Sequence, residues 1–129
     1  MENTTTKTRF FRDYDGWNGE TTVELPNLGE GKQLVLSTSK SKYSGSITST
    51  ASVRTLERGM WTFCIAGKDG DYHKRVGGSE FGKRATERAV REQHERVLAT
   101  LSDILANVTA HYAAQQQRKE EAEAQRLAA

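Results

Sequence analysis

Basic side chains cluster in the second half of the chain, where they could hold phosphate groups or the acidic surface of another protein. Between residues 74 and 91, six bases face only two acids: Lys74, Arg75, Lys83, Arg84, Arg88 and Arg91 against Glu80 and Glu87. The last three arginines follow the i, i+4, i+7 spacing of one helix face. We expect a surface for a protein or a nucleic acid here, although nearby glutamates could pair with the arginines and leave an ordinary solvated face.

Aromatic residues interleaved with bases form a second candidate surface. The aromatic residues are Trp17, Tyr43, Trp61, Phe63 and Tyr72, and the basic residues are Lys40, Lys42 and Arg54. Such a combination can stack the bases of a single-stranded nucleic acid and hold its phosphates. Large apolar residues are scarce, so most of these rings are needed in the core. Tyr43, in the turn SKSKYSGS, is the candidate for exposed stacking.

Catalytic and metal chemistry is not indicated by the remaining candidates. Cys64 lies between two large apolar residues, as a buried cysteine does, whereas a cysteine nucleophile needs exposure and an adjacent histidine. His73 follows Asp69 and Asp71, but nothing nearby in the sequence completes a metal site. We therefore expect a protein that is not an enzyme and needs no cofactor or metal.

The two later histidines and a glycine-rich segment also favour structural roles. His94 and His111 share one helical stripe but lie about 25 Å apart along it, so they cannot bind one ion. The segment GGSEFG over 77–82 lacks the spacing of a phosphate-binding loop. We interpret it as a flexible hinge, with Ser79 as a candidate helix cap.

Composition limits the class of protein. The chain has 129 residues, a formal net charge of +2 and one cysteine, which fits one small domain without disulfides in a reducing cytoplasm. No apolar run approaches the roughly 20 residues of a membrane span, and the start lacks the pattern of a signal peptide.

The first half of the chain predicts an antiparallel sheet. Alternating apolar residues separated by turn signals indicate about five strands between residues 8 and 66. The predicted strands are 8–14, 21–25, 32–39, 45–57 and 60–66. Their short connections favour a meander, because parallel crossovers need a dozen or more residues. The segment 67–82 is interpreted as a loop with a short edge strand at 72–76.

The last third predicts one long helix from about residue 83. Apolar residues recur every three or four positions to form a single stripe: Val90, Val97, Leu98, Leu101, Ile104, Leu105 and Val108. The fold class is therefore α+β, with this helix packed on one sheet face and residues 1–114 forming the domain. The polar segment 115–129 is expected to extend into solvent as a helical or frayed tail.

A helix reaching the end of the chain would be about 60 Å long, more than such a sheet can cover. We therefore expect its distal stripe to pair two copies into a homodimer. The residues of that contact are Ile104, Leu105, Val108 and Tyr112.

These observations leave two functions open. The first is a non-catalytic cytoplasmic protein that binds a protein partner, as an inhibitor or adaptor of nucleic-acid machinery. The alternative is direct nucleic-acid binding by the basic loop and the start of the helix. In general style the whole chain resembles small accessory proteins of phages and plasmids, many of which bind host or defence machinery, but no diagnostic motif carries that resemblance.

Overall fold

The described residues form one sheet of six antiparallel strands, and two α-helices pack on one of its faces. The structure is a computed structural model that describes residues 6–14, 16–28, 31–40, 45–57, 59–62, 70–81 and 84–128. The strands are β1 Thr6–Asp13, β2 Gly16–Glu24, β3 Lys32–Lys40, β4 Ser46–Glu57, β5 Met60–Thr62 and β6 His73–Phe81. A short 3-10 helix covers Pro26–Leu28, and the α-helices are α1 Glu87–Leu98 and α2 Leu101–Ala128.

The α+β class and the antiparallel meander are confirmed. Strands β1 to β5 are neighbours in chain order. The short edge strand predicted at 72–76 is present but longer, because β6 covers 73–81 and pairs with β4. Among the described residues, β5 pairs with Thr55–Glu57 of β4, and β6 supplies hydrogen-bond partners further along the same edge.

The hinge predicted around Gly77 is a bulge within β6. The register between β4 and β6 shifts between Ile47 and Ser49, and Gly77 has a φ of +73°. A Cβ at this position would lie 2.9 Å from a methyl group of Val97 on α1. Glycine therefore permits both the bulge and the close approach of α1.

The covered sheet face changes from polar to apolar along its length. One row of paired residues across β2, β3 and β4 consists of Gly19, Thr38 and Ser49. Four residues further along each strand, on the same face, the row consists of Val23, Leu34 and Val53. The apolar rows, both helices and Tyr72 form the core. Its buried members are Val23, Leu25, Leu34, Leu36, Ala51, Val53, Tyr72, Val97, Ile104 and Val108.

The single long helix predicted from the sequence is interrupted at Ala99 and Thr100. The Thr100 amide and hydroxyl both donate to the carbonyl oxygen of Val97, at 2.9 and 2.8 Å. These i to i−3 hydrogen bonds replace the i to i−4 pattern of the α-helix, and α1 ends there. A threonine hydroxyl that bonds to a preceding carbonyl also disturbs a helix. The carbonyl of Thr100 then accepts from the Ile104 amide and begins α2. The cap of α1 is Thr86 rather than Ser79, which lies in β6.

The distal stripe expected to pair two copies is used within the chain. Ile104 and Val108 are 4% and 1% exposed, while Leu105 and Tyr112 are partly buried against the same core. The predicted dimer contact needs Ile104 and Val108 to be accessible, and here they are not. The sheet end and Tyr72 cover them, a contact between distant residues that periodicity could not reveal.

The polar segment 115–129 is helical as far as Ala128. Its first residue still contacts the domain, since the side-chain Nε2 atom of Gln115 donates to the Gly70 carbonyl. From Lys119 to Ala128 every residue is exposed. In the part of the chain that the structure describes, no helix has both the length and the apolar character to span a membrane.

Candidate binding cleft at the start of helix α1

A cleft of about 510 Å³ lies where the β1–β2 hairpin, the end of β3 and the start of α1 meet. These three segments are distant in the sequence. The lining residues are Arg12, Asp13, Tyr14, Gly16, Trp17, Lys40, Arg84, Ala85, Thr86 and Glu87. We call this set the α1 cleft.

The hairpin is joined to the segment before α1 by a backbone contact. The Trp17 amide donates to the Ala85 carbonyl at 2.8 Å. Gly16 has a φ of +120°, and a Cβ there would lie 2.7 Å from the same carbonyl oxygen. Glycine is required at this position, so the turn signal Asp15-Gly16 also fixes one wall of the cleft.

The opposite wall is the first turn of α1. Thr86 caps the helix by accepting a hydrogen bond from the Ala89 amide at 3.2 Å. Glu87 follows in the first turn, where a carboxylate interacts favourably with the helix dipole. This capping fixes where the helix begins and therefore where Arg84 and Ala85 lie beside the hairpin.

The α1 cleft combines positive charge with aromatic surface. Arg12, Lys40 and Arg84 contribute three positive charges, against two negative charges from Asp13 and Glu87. Tyr14 is fully exposed, and Trp17 is half-buried in the wall. Such a set can hold phosphate oxygens beside a ring on which a base can stack.

Two arginines of the predicted basic face are paired on α1. The Arg91 guanidinium lies 4.0 Å from the centroid of the Phe10 ring and also pairs with Glu87 at 3.0 Å. Arg88 pairs with Glu92 at 3.1 Å. Arg91 therefore supports the wall of the α1 cleft through Glu87, whereas Arg88 does not line it.

A buried polar network lies beneath α1. His94 is fully buried, with its Nε2 atom 2.7 Å from the Thr21 hydroxyl and its Nδ1 atom 2.8 Å from the Thr38 hydroxyl. Each threonine has a second hydroxyl partner. Thr21 bonds to Thr8 at 2.8 Å, and Thr38 bonds to Ser49 at 2.7 Å. We call these five side chains the His94 network.

The His94 network is extended by Gln93. Its side-chain Nε2 atom donates to the Ile47 carbonyl at 3.1 Å and to the Ser49 hydroxyl at 3.3 Å. Burial lowers the pKa of the His94 imidazole below its ordinary value of 6.5, and the carboxylate of Glu20 partly opposes that shift. Helix α1 is therefore fastened to three strands by neutral hydrogen bonds.

A second cavity, of about 370 Å³, lies at the other end of the sheet, beside α2. Its polar groups largely bond to one another. The Tyr112 hydroxyl donates to Asp71 at 2.8 Å and accepts from the Tyr72 amide, and Lys32 pairs with Asp71 at 3.5 Å. These contacts attach α2 to the sheet end, and we assign the cavity a structural role.

The residues expected to form one basic surface do not all meet. Lys74 and Arg75 lie on β6, three strands away from β2, which corresponds to about 14 Å. Consecutive strand residues also face opposite sides, so these two do not share a face. Of the predicted set, Arg84 lines the α1 cleft, and Lys83 and Tyr43 lie outside the described residues.

Two cleft residues, Arg12 and Tyr14, were not identified from the sequence. Their signal is the turn Asp15-Gly16 between two strands, which exposes the residues beside it. Cys64 and Phe63 also lie outside the described residues. Tyr72 belongs to the core as expected, and burial raises the pKa of its hydroxyl.

Within the described ranges, no three histidine, cysteine or acidic side chains come close enough to hold a metal ion. Comparison with known proteins adds no assignment to this geometry. No family model matches the chain, and neither the curated proteins nor the solved structures provide a match.

Proposed function

We propose that this is a non-catalytic binding protein whose α1 cleft takes a single-stranded nucleic acid. The observation that carries the proposal is the convergence of three basic side chains and two aromatic rings from three separate segments. Arg12, Lys40 and Arg84 hold phosphates, and Tyr14 stacks a base. An unpaired strand fits this arrangement because its bases are free to leave the stack and enter a cleft.

The alternative of a protein partner has less support. It depended on a spare apolar end of the helix, and Ile104 and Val108 are buried in the chain's own core. What remains exposed on distal α2 is polar, apart from alanines and Leu127. An inhibitor or adaptor role through a protein contact is therefore the alternative that a negative result in the test below would favour.

Titration of fluorescently labelled DNA and RNA strands tests the proposal. We expect single strands to bind more tightly than duplexes of the same length. Affinity should fall as salt rises, because each neutralised phosphate releases counterion, with a logarithmic slope of about −0.7 per phosphate for single strands. The Arg12→Ala and Arg84→Ala variants should each reduce that slope by about one phosphate contact.

Tyr14→Ala separates stacking from charge. Tyr14 is fully exposed, so its replacement should leave folding intact. We expect it to weaken single-strand binding by about 1–3 kcal/mol while leaving the salt slope unchanged. The Tyr14→Phe variant, which keeps the ring, should bind like the wild type.

Arg88→Ala and Arg126→Ala are matched controls, since each removes an exposed arginine that does not line the α1 cleft. An equal loss of affinity in the controls would reduce the interaction to general attraction between opposite charges. Absence of binding to any strand at low salt would overturn the proposal. Capture of a specific protein by the same surface would then favour the alternative.

A further inference from the structure

We propose that the His94 network is an acid-sensitive lock that holds α1, and with it one wall of the α1 cleft, on the sheet. The lock itself follows from the buried contacts of His94. Its effect on ligand binding rests on the proposed function. The two parts are therefore tested by separate measurements.

The hydroxyl partners determine what happens when His94 takes up a proton. A neutral imidazole has one donor and one acceptor nitrogen, so one threonine accepts and the other donates. A charged imidazolium donates from both nitrogens, and both threonines must then accept. Each can do so by turning its own proton toward its second partner, Thr8 or Ser49. Protonation therefore leaves the ring hydrogen-bonded inside the fold.

The cost of protonation is the burial of a charge that has no adjacent counter-ion among the described residues. Among the described residues, Glu20 on β2 is the ionisable group whose charge acts on His94, and Arg91 on α1 is linked to the ring through Phe10. Glu20 favours the charged ring, but its carboxylate is paired with Arg9 of β1 at 3.3 Å. The Arg91 guanidinium lies on Phe10, whose ring meets the imidazole edge-to-face at 5.6 Å. In the described parts of β3 and β4, the groups that join the network are the uncharged hydroxyls of Thr38 and Ser49.

The direction of the response follows from linkage. The folded-state pKa of His94 is lowered, so below its ordinary value of 6.5 the unlocked or unfolded chain binds the proton more readily than the native chain. The native state is therefore fully stable above about pH 6.5 and loses stability as the pH falls below that value. Helix α1 carries Glu87 two turns before His94, so loosening α1 displaces that wall of the cleft.

Hydrogen exchange at pH 7.5 and 5.5, corrected for intrinsic rates, tests the lock in the full chain. The opening equilibrium of α1 should rise several-fold and by at most about tenfold, the limit for one group titrating one unit below 6.5. His94→Gln removes the titration and should abolish this pH response. The double variant His73→Gln with His111→Gln should keep it, because those two residues lie outside the network.

The same double variant supplies a measurement that does not depend on the folding of His94→Gln. His94 is then the one histidine of the chain, and its imidazole can be titrated by NMR. A midpoint below 6.5 supports the lock. A midpoint at or above 6.5, or an equal acid response in His94→Gln, overturns it.

Binding of a labelled oligothymidylate then tests the coupling. We expect the wild type to lose affinity between pH 7.5 and 5.5 in proportion to the fraction of molecules in which α1 is open, as hydrogen exchange gives it, and His94→Gln to show no such loss. Equal pH dependence in both proteins would overturn the coupling. If neither protein binds the strand at any pH, the proposed function fails, while hydrogen exchange still decides whether the lock exists.

Discussion

The two ends of the covered sheet face are held together by different interactions. Beneath α1, beside the cleft, buried hydrogen bonds join His94 and Gln93 to strand hydroxyls, in addition to the apolar contacts of Val90 and Val97. Beneath α2 the buried contacts are apolar, around Leu34, Ile104 and Val108, and the polar contacts of Tyr112 with Asp71 lie at their edge. Apolar packing is nondirectional and supplies most of the stability of a domain. Hydrogen bonds contribute less net stability, but they fix position and are costly to leave unmade.

This difference explains why the candidate site lies at the polar end. A cleft that must present Arg84 and Glu87 beside the β1–β2 hairpin needs a helix placed in one register. The His94 network allows only the arrangement in which both ring nitrogens meet a hydroxyl. The apolar end can carry the free energy of folding without constraining the cleft.

The largest expected effect is at the apolar end. Ile104→Asp combined with Val108→Asp should unfold the protein, because loss of one large core side chain already costs about 2–5 kcal/mol and the new charges would be buried without partners. Circular dichroism and size-exclusion chromatography would show this. Ala106→Asp with Ala110→Asp, which has the same spacing on the exposed face, should remain folded. A folded core variant with half the native assembly mass would instead support the predicted homodimer.

The next effect is at the polar end. Thr38→Val keeps the side-chain shape but removes hydrogen-bond partners of His94 and Ser49, which should cost about 1–3 kcal/mol in urea unfolding. Thr22→Val, on the opposite face of the sheet, should change stability by less than about 0.5 kcal/mol. Equal effects of the two variants would show that the network contributes nothing specific.

A smaller effect is expected where the hairpin meets the segment before α1. Gly16→Ala forces a Cβ against the Ala85 carbonyl at a positive φ, and should cost about 1 kcal/mol or more. Hydrogen exchange should show faster exchange of the Trp17 amide, with the apolar core still protected. Unchanged protection of Trp17 would contradict the assigned role of Gly16.

The smallest effect is expected from the distal helix. Deletion of residues 119–129 removes a segment whose described residues are all exposed, and should change the unfolding free energy by less than about 0.5 kcal/mol. Urea unfolding of the shortened chain checks this. A substantial loss of stability would show that part of the tail makes a contact that stabilises the fold.

Sequence patterns were sufficient to predict the α+β class, the five-strand meander and the helical nature of the last third. These follow from local periodicity, because residues two apart share a sheet face and residues three or four apart share a helix face. The basic helix face predicted for Arg84, Arg88 and Arg91 is wrong for Arg84, because α1 begins at Glu87 and Arg84 lies before its cap. The central residues of the His94 network were each visible only as an ordinary histidine, threonine or serine.

Tertiary structure alone decided which of these residues meet. His94 contacts Thr21 across 73 positions of the chain, and Trp17 contacts Ala85 across the junction that forms the cleft. Tertiary packing also placed β6 on the free edge of β4 and buried Ile104 and Val108 within the chain. Periodicity shows which face of a helix is apolar, but the shape of the folded sheet decides what covers that face.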